Sequence, residues 1–295
     1  MDSRTRNAAL APWLVLAGLL CQEVGASVAV TLFPVVGPIG MVALRLVFSA
    51  LVLLMLAGPT RGARPQWRAA GRAAWCSVAG FGLVLAAMNA FFYLSLERLP
   101  LGAAVTIEIL GPLVLSVIAG RPRWRSVLLA VVAGLGVVAL GGGLHDLDLL
   151  GVACALAAAV LWVGYILLAQ ATGAHFRGIS GLATATVLGA LLIAPIAVAT
   201  TGVGTLLEPR ILAAGLAIAV LSSAIPYALE LSALRYIGAG TFAILLALAP
   251  ALAALVGFVV LDQNLTPLAI TGIACVMGAS IGAVRGERRI GRAPA

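Results

Sequence analysis

Four ionisable side chains stand inside long apolar stretches of this sequence: Glu23, Arg45, Glu108 and Glu230. A charge at the centre of a lipid bilayer costs at least about 2.5–3.5 kcal/mol, so such a residue needs a partner, a water-filled cavity or neutralisation. Arginine holds a carboxylate through two parallel hydrogen bonds, and a carboxylate accepts hydrogen bonds from an ammonium group. This set of residues therefore favours binding of a small zwitterion, such as an amino acid, within a membrane.

The charged residues share one layer if their segments are helices that cross the bilayer. Arg45 and Glu108 each lie about eight residues into segments that enter from the same side, a depth of roughly 12 Å. Gln22, Glu23 and Asn89 approach that layer from segments that run the other way. We expect these five residues to line one cavity, with Arg45 binding a substrate carboxylate. An alternative stays open, in which Arg45 and Glu108 neutralise each other as a structural pair.

Glu230 and several aromatic residues have weaker claims to the cavity. Glu230 lies five residues before Arg235, near the end of its apolar segment, so we expect it to reach the lipid headgroups. Membrane tryptophans and tyrosines usually pack against lipid or lie at interfaces, but they also stack on ligands and form hydrogen bonds. The aromatic residues that we predict as cavity candidates are Tyr93, Trp162, Tyr165 and Tyr227.

The composition indicates that these residues belong to a membrane protein. Of 295 residues, 63% are hydrophobic and only 9% are charged, whereas soluble domains are about one-quarter charged. Each apolar run is long enough to cross about 30 Å of hydrocarbon as a helix and lacks the alternation of a barrel strand. The sequence predicts an all-α integral membrane protein with ten transmembrane helices, at residues 9–32, 38–57, 73–95, 100–120, 126–143, 148–170, 179–200, 211–234, 239–261 and 266–284.

The basic residues indicate orientation rather than nucleic-acid binding. All 18 are arginine and the net charge is +8, but they are dispersed between apolar runs and form no continuous face with aromatic platforms. Cytoplasmic loops retain arginine, and fifteen of the arginines fall in alternate segments that include both ends of the chain. We therefore predict no nucleic-acid partner, cytoplasmic termini, and a basic cytoplasmic tail at residues 286–295.

Residue types that bind metals or cofactors are sparse. His145 and His175 lie in different short loops, where histidines are usually solvated. Neither a CxxC pair nor a GxxxxGK[ST] loop occurs, so we predict no metal, no cofactor and no ATP-driven pumping. A membrane enzyme would show clustered His, Asp or Ser near an interface, so we predict no enzymatic activity. Four cysteines within apolar segments are expected to be buried free thiols: Cys21, Cys76, Cys154 and Cys275.

An internal repeat appears when the two halves are aligned with an offset of 138 residues. LPLGAAVTIEILGP (99–112) then pairs with IGAGTFAILLALAP (237–250), and Pro112 coincides with Pro250. A repeat of five helices must place its second copy upside down, as in many transporters that use alternating access. We predict two inverted five-helix repeats, at residues 1–145 and 146–285.

Several segments resemble the EamA branch of the drug/metabolite transporter superfamily, and most closely its bacterial inner-membrane threonine/homoserine exporters. The segments are 25–46, 96–113, 222–235 and 249–267. The resemblance implies ten helices, inverted repeats and efflux of small amino acids, and it adds Ser27 to the candidate substrate-binding residues. The chain departs from these exporters at Ala249, where they usually have glutamate before the proline, and at 262–264, where they have Gly-Glu before Leu-Thr.

These observations together predict a secondary exporter of threonine- or homoserine-like amino acids in a bacterial inner membrane. Glu108 is the expected proton-coupling residue, because its protonation would respond to its separation from Arg45. An alternative is that the same fold exports other metabolites or drugs, such as a nucleoside, a vitamin or a lipophilic cation. The expected partners are a small-molecule substrate and the lipid bilayer, with the chain a monomer or a homodimer.

Overall fold

A computed structural model of the chain is mostly helical in the part that it describes, with short turns and loops and no strand there. It describes residues 3–57, 71–119, 148–176, 179–234, 236–237, 239–264 and 266–290, together with residues 132, 135 and 136. Most of the predicted fifth span (126–143), most of the loop 58–72 and residues 291–295 of the predicted tail lie outside the described residues.

The helices follow the apolar runs of the sequence. They are α1 (Ser3–Ala57), α2 (Arg72–Leu96), α3 (Leu101–Glu108), α4 (Leu110–Ala119), α5 (Leu149–His175), α6 (Ser180–Thr201), α7 (Val203–Leu206), α8 (Pro209–Ala219), a π-helical turn (Val220–Ala224), α9 (Ile225–Ala233), α10 (Ala239–Leu246), α11 (Ala249–Leu261) and α12 (Pro267–Ile290). Within the described residues, six helical stretches are long and apolar enough to cross a bilayer. The chain is therefore an all-α, multi-pass membrane protein, as predicted; the number of ten crossings stays a prediction.

The first helix, α1, contains a reversal of the chain at Gly37. This residue has φ 67° and ψ 165°, a conformation that glycine adopts without the steric cost of a Cβ atom. Residues 19–26 before it and 45–53 after it line the same cavity, although a straight helix would hold these two stretches roughly 40 Å apart. The two arms of α1, 3–36 and 38–57, therefore lie side by side and match the first two predicted spans.

Two other helical runs are interrupted at positions 138 residues apart. The first break follows Glu108 at the end of α3, and the second follows Leu246 at the end of α10. Proline has no N–H, and its ring collides with the carbonyl group four residues earlier in a helix. Pro112 acts in this way on Glu108, and Pro250 acts on Leu246. The two breaks have the spacing of the sequence repeat, while the inversion of the second copy stays a prediction.

Small residues let neighbouring helices approach closely. A Cβ atom on Gly82 of α2 would lie 2.7 Å from the carbonyl oxygen of Ala185 on α6. A Cβ atom on Gly111 of α4 would overlap the carbonyl oxygen of Ala159 on α5. Lipid supplies no hydrophobic driving force between helices, so van der Waals contact between such close backbones holds the bundle together.

An ion pair and a helix cap join the end of α2 to the beginning of α5. Arg98 Nη1 lies 3.1 Å from Asp148 Oδ2, and Asp148 Oδ1 accepts the N–H of Gly151 at 2.9 Å. The hydrogen bond from Gly151, with a smaller contribution from Arg98, lowers the pKa of the Asp148 carboxyl below its usual value. Asp148 therefore stays ionised and caps α5 at neutral pH.

Two further polar contacts join helix ends around the same loop region. The side-chain oxygen of Gln263 accepts the N–H of Leu101 at 2.9 Å, which ties α3 to the end of α11. The Thr201 hydroxyl donates to the carbonyl oxygen of Val36 at 2.7 Å, which ties α6 to the first arm of α1. We call the helix ends joined by these two contacts and by Arg98–Asp148 the tied face.

Replacing Gly111 by alanine is expected to lower the stability of the folded protein by about 1–3 kcal/mol, because the new methyl group overlaps the backbone of Ala159. Thermal unfolding of the purified protein in detergent measures this change. Gly173→Ala is the matched control, since no atom lies within 4 Å of a Cβ at that position. Equal unfolding temperatures for the two variants would contradict the role of close contact between α4 and α5.

Candidate functional site

A cavity of about 550 Å³ lies inside the helix bundle. Its walls come from both arms of α1, from α2, α5 and α6, from the π-helical turn with α9, and from the breaks that follow Glu108 and Leu246. None of the residues that join the tied face lines it. Among the predicted site residues, those on the cavity wall are Gln22, Glu23, Arg45, Asn89, Glu108, Trp162 and Tyr165.

Arg45 supplies the positive charge of the cavity. Its Nη1 donates a hydrogen bond of 3.3 Å to the hydroxyl oxygen of Tyr93, and its Cζ lies 5.6 Å from the centre of the Tyr93 ring. Tyr93 is fully buried and packs against Phe33, with ring centres 5.8 Å apart. A guanidinium group that stacks on a ring and donates to its hydroxyl is held in one orientation. Arg45 is thus positioned by Tyr93 and is only half-buried itself.

Two carboxylates face the same cavity. Glu23 is 2% exposed and Glu108 is half-buried. Both are close enough for their charges to interact with that of Arg45 and with each other. Among the described residues, however, the ion pair within 4.0 Å is Arg98–Asp148, and Arg45 forms none. In this conformation Arg45 and the two carboxylates are close neighbours without direct contact, which leaves hydrogen-bonding capacity for a ligand between them.

Polar and aromatic residues complete this end of the cavity. The amide nitrogen of Asn89 donates to the Leu85 carbonyl at 2.8 Å, which leaves the side-chain oxygen as an acceptor. Trp162 and Tyr165 lie one turn apart on α5, and Tyr165 packs edge-on against Phe81 with ring centres 5.0 Å apart. The site therefore combines charged groups with flat apolar surfaces, as small-molecule pockets usually do.

Two predicted site residues do not lie on the cavity wall, and the side chain of a third is not described. Ser27 is fully buried and does not line the cavity. Its hydroxyl donates to the Val24 carbonyl of its own helix at 2.8 Å. Tyr93 also lies behind the wall, where it contacts Arg45 rather than the cavity. Neither side chain is on the cavity wall in this conformation, and a role of either in substrate binding stays a prediction. The side chain of Tyr227 lies outside the described residues.

Other polar residues reach the cavity that sequence reasoning missed. Glu230 lines it, so the expectation that this side chain extends to the lipid headgroups is corrected. Ser49, Ser222 and Ser223 also line it, and the hydroxyl oxygens of Ser49 and Ser223 are 3.0 Å apart. The signal available in the sequence was the serine pair four and three residues before Pro226, inside an apolar run.

Within the described part of the chain, no group of three or more His, Cys, Asp or Glu side chains is placed to hold a metal ion. Cys21, Cys76, Cys154 and Cys275 are free thiols. Cys76 and Cys275 are exposed on the helix surface, so the prediction that all four are buried is wrong for these two.

Comparison with known proteins identifies the family. Residues 149–285 match the EamA-like transporter family. The chain is 36% identical to the threonine/homoserine exporter RhtA of Salmonella typhimurium, over 98% of this chain and 97% of that protein. It is 35% identical to the threonine/homoserine exporter RhtA of Escherichia coli, over 94% and 93% of the two chains.

A solved crystal structure shares the fold, with a TM-score of 0.63 and 21% identity over 96% of this chain and 99% of that one. The curated relatives are named as exporters, which are transporters and not enzymes. Because their similarity extends over almost the full length of both chains, the protein belongs to the EamA-like transporter family.

Proposed function

We propose that this protein is a secondary active exporter of threonine, homoserine and similar small amino acids from the bacterial cytoplasm. The observation that carries the proposal is the cavity in which Arg45 faces Glu23 and Glu108 without a direct ion pair. Nearly full-length similarity to threonine/homoserine exporters supports the same substrate class.

The charges of the cavity are complementary to those of an amino acid. The carboxylate of the substrate binds the guanidinium of Arg45, which Tyr93 holds from behind. The substrate ammonium group binds Glu23 or Glu108, and the Asn89 side-chain oxygen accepts a further hydrogen bond. A zwitterion thereby replaces water around three charges that are costly to leave unpaired in a membrane.

The position of the cavity in the bundle fits the step in which an exporter takes up its substrate. The walls formed by Leu182, Glu230 and Ala243 belong to helix halves that point away from the tied face. The distribution of arginines assigns those halves to the cytoplasmic side. In this conformation the substrate enters from the cytoplasm, while the tied face closes the periplasmic side. Breaking the contacts of the tied face releases the substrate outward, as alternating access requires.

Glu108 is the proposed proton-coupling residue. It is the last residue of α3, at the break that Pro112 causes, so it lies where two helix segments can change their relative angle. A conformation that brings Glu108 close to Arg45 favours the ionised carboxylate. A conformation that separates the two residues favours uptake of a proton by Glu108. The equivalent position of the second repeat is Leu246, which cannot titrate. The second repeat therefore has no carboxyl group at the position equivalent to Glu108.

The aromatic wall favours a second candidate cargo. Phe92, Trp162 and Tyr165 all line the cavity, and flat rings bind other flat rings by stacking. A nucleoside or a ring-containing vitamin would use this wall, and it would leave the Arg45 guanidinium without a carboxylate partner. The amino-acid proposal uses both features, so it accounts for more of the cavity.

Overproduction is expected to raise resistance to toxic threonine or homoserine analogues and to increase the release of labelled threonine. Arg45→Lys keeps the charge but loses the bidentate fork, so export should fall by about tenfold, the equivalent of about 1.4 kcal/mol. Growth in the presence of the analogue measures resistance, and release of labelled threonine from loaded cells measures export by the wild type and by Arg45→Lys. If overproducing cells expel a nucleoside but release amino acids no faster than control cells, the second candidate is favoured instead.

Glu108→Gln keeps the shape of the side chain but removes its titration. We expect a folded protein in which an imposed proton gradient no longer drives export, while exchange of substrate across proteoliposomes survives. Transport at several internal and external pH values tests this. Unchanged pH dependence would contradict proton coupling at Glu108. Misfolding that is reversed by also replacing Arg45 would support the structural pair.

A topology of ten helices with both termini in the cytoplasm predicts which reporter fusions are active. An enzyme that works only outside the cytoplasm should be inactive when fused after Arg292, and active when inserted between 143 and 148. The reverse pattern, or equal activity at both positions, would contradict the orientation inferred from the arginines.

A further inference from the structure

The part of the cavity near the π-helical turn contains an unusual concentration of hydroxyl groups. Ser222 and Ser223 lie within the turn, and Ser49 lies opposite them on the second arm of α1. All three side chains are at least nine-tenths buried and line the cavity. The oxygens of Ser49 and Ser223 are 3.0 Å apart, so one hydroxyl donates to the other. The second hydrogen of this pair is then available to a third group.

Ser222 has an unmet requirement for a hydrogen bond. Its hydroxyl oxygen is buried and has no hydrogen-bond partner among the described residues. Buried polar groups are normally paired, so an orphan beside a cavity points to a ligand that completes it. The hydroxyl is held against Gly25 of α1, where a Cβ atom would overlap its oxygen. Ser222 also lines the cavity, so this hydroxyl lies next to the space that a ligand would occupy.

The hydrogen bonding of the backbone changes at this point. Pro226 has no N–H, so the carbonyl oxygen of Ser222 lacks the donor that an α-helix would supply. The π-helical turn immediately before it widens the helix, and such turns occur often at functional sites. The hydroxyl groups of this turn match a neutral ligand group that both donates and accepts hydrogen bonds.

We propose that Ser222, Ser223 and Ser49 form the subsite that recognises the side-chain hydroxyl of the exported amino acid. This inference rests on the proposed function, because it assigns the other end of a substrate whose carboxylate is bound by Arg45. Threonine and homoserine share that hydroxyl, whereas valine and norvaline have a methyl group in its place. A polar subsite rejects such analogues because its own buried groups stay unpaired when they bind.

The test measures the ratio of threonine to valine exchange in proteoliposomes, with homoserine and norvaline as a second pair. A ratio from one preparation does not depend on the fraction of protein that folded. We expect Ser222→Ala and Ser223→Ala each to lower the ratio about tenfold, through weaker threonine exchange with valine exchange kept. Gly25→Ala should do the same with every hydroxyl retained, because its methyl group displaces Ser222.

Ser95→Ala is the matched control, since Ser95 is fully buried, bonds to the Phe92 carbonyl of its own helix and does not line the cavity. It should leave the ratio unchanged. A wild-type ratio in both serine variants, with threonine still transported, would overturn the subsite and leave the proposed function intact. Absence of threonine and homoserine exchange in the wild type would overturn both. The serine variants could instead lose threonine and valine exchange equally and regain both when sodium is added. That result would overturn the subsite in favour of a cation site.

Discussion

The cost of placing charge inside a bilayer is the constraint on which this structure depends. Arg45, Glu23 and Glu108 are tolerated because they line a cavity that also contains other polar side chains, and because their charges interact across it. The helices that form the wall place the ionisable residues of their apolar stretches at the cavity. The buried tyrosine behind Arg45 extends the same logic, since it supplies a hydrogen bond and a ring where lipid would supply neither.

Proline and glycine turn this requirement into a particular architecture. Gly37 reverses α1, so that one long helix supplies two walls of the cavity. Pro112 breaks the helix next to Glu108, and Pro226 follows the π-helical turn that contains Ser222. Each interruption leaves backbone groups without helical partners, and a bilayer permits that only where protein or a cavity satisfies them. The interruptions therefore coincide with the polar parts of the site.

The tied face and the interior of the bundle are held by different interactions. Arg98–Asp148, Gln263–Leu101 and Thr201–Val36 join helix ends through a few polar contacts at the tied face. Within the bundle, α4 and α5 are held by backbone contact at Gly111, where no polar group needs to be released. Polar contacts exchange with water at small net cost, whereas close packing does not. The helix ends at the tied face are therefore easier to separate than the closely packed α4 and α5.

The sequence alone determined the class of protein, the limits of most helices, the positions of the charged residues and the equal spacing of the breaks before Pro112 and Pro250. These features are local, because hydropathy and the missing proline N–H act within a few residues. Only the tertiary structure decided which polar side chains face the cavity: Tyr93 and Ser27 do not, whereas Glu230, Ser49, Ser222 and Ser223 do. The physical reason is that these membrane helices are apolar on every side, so no periodicity marks the inward face and packing against neighbours sets their rotation.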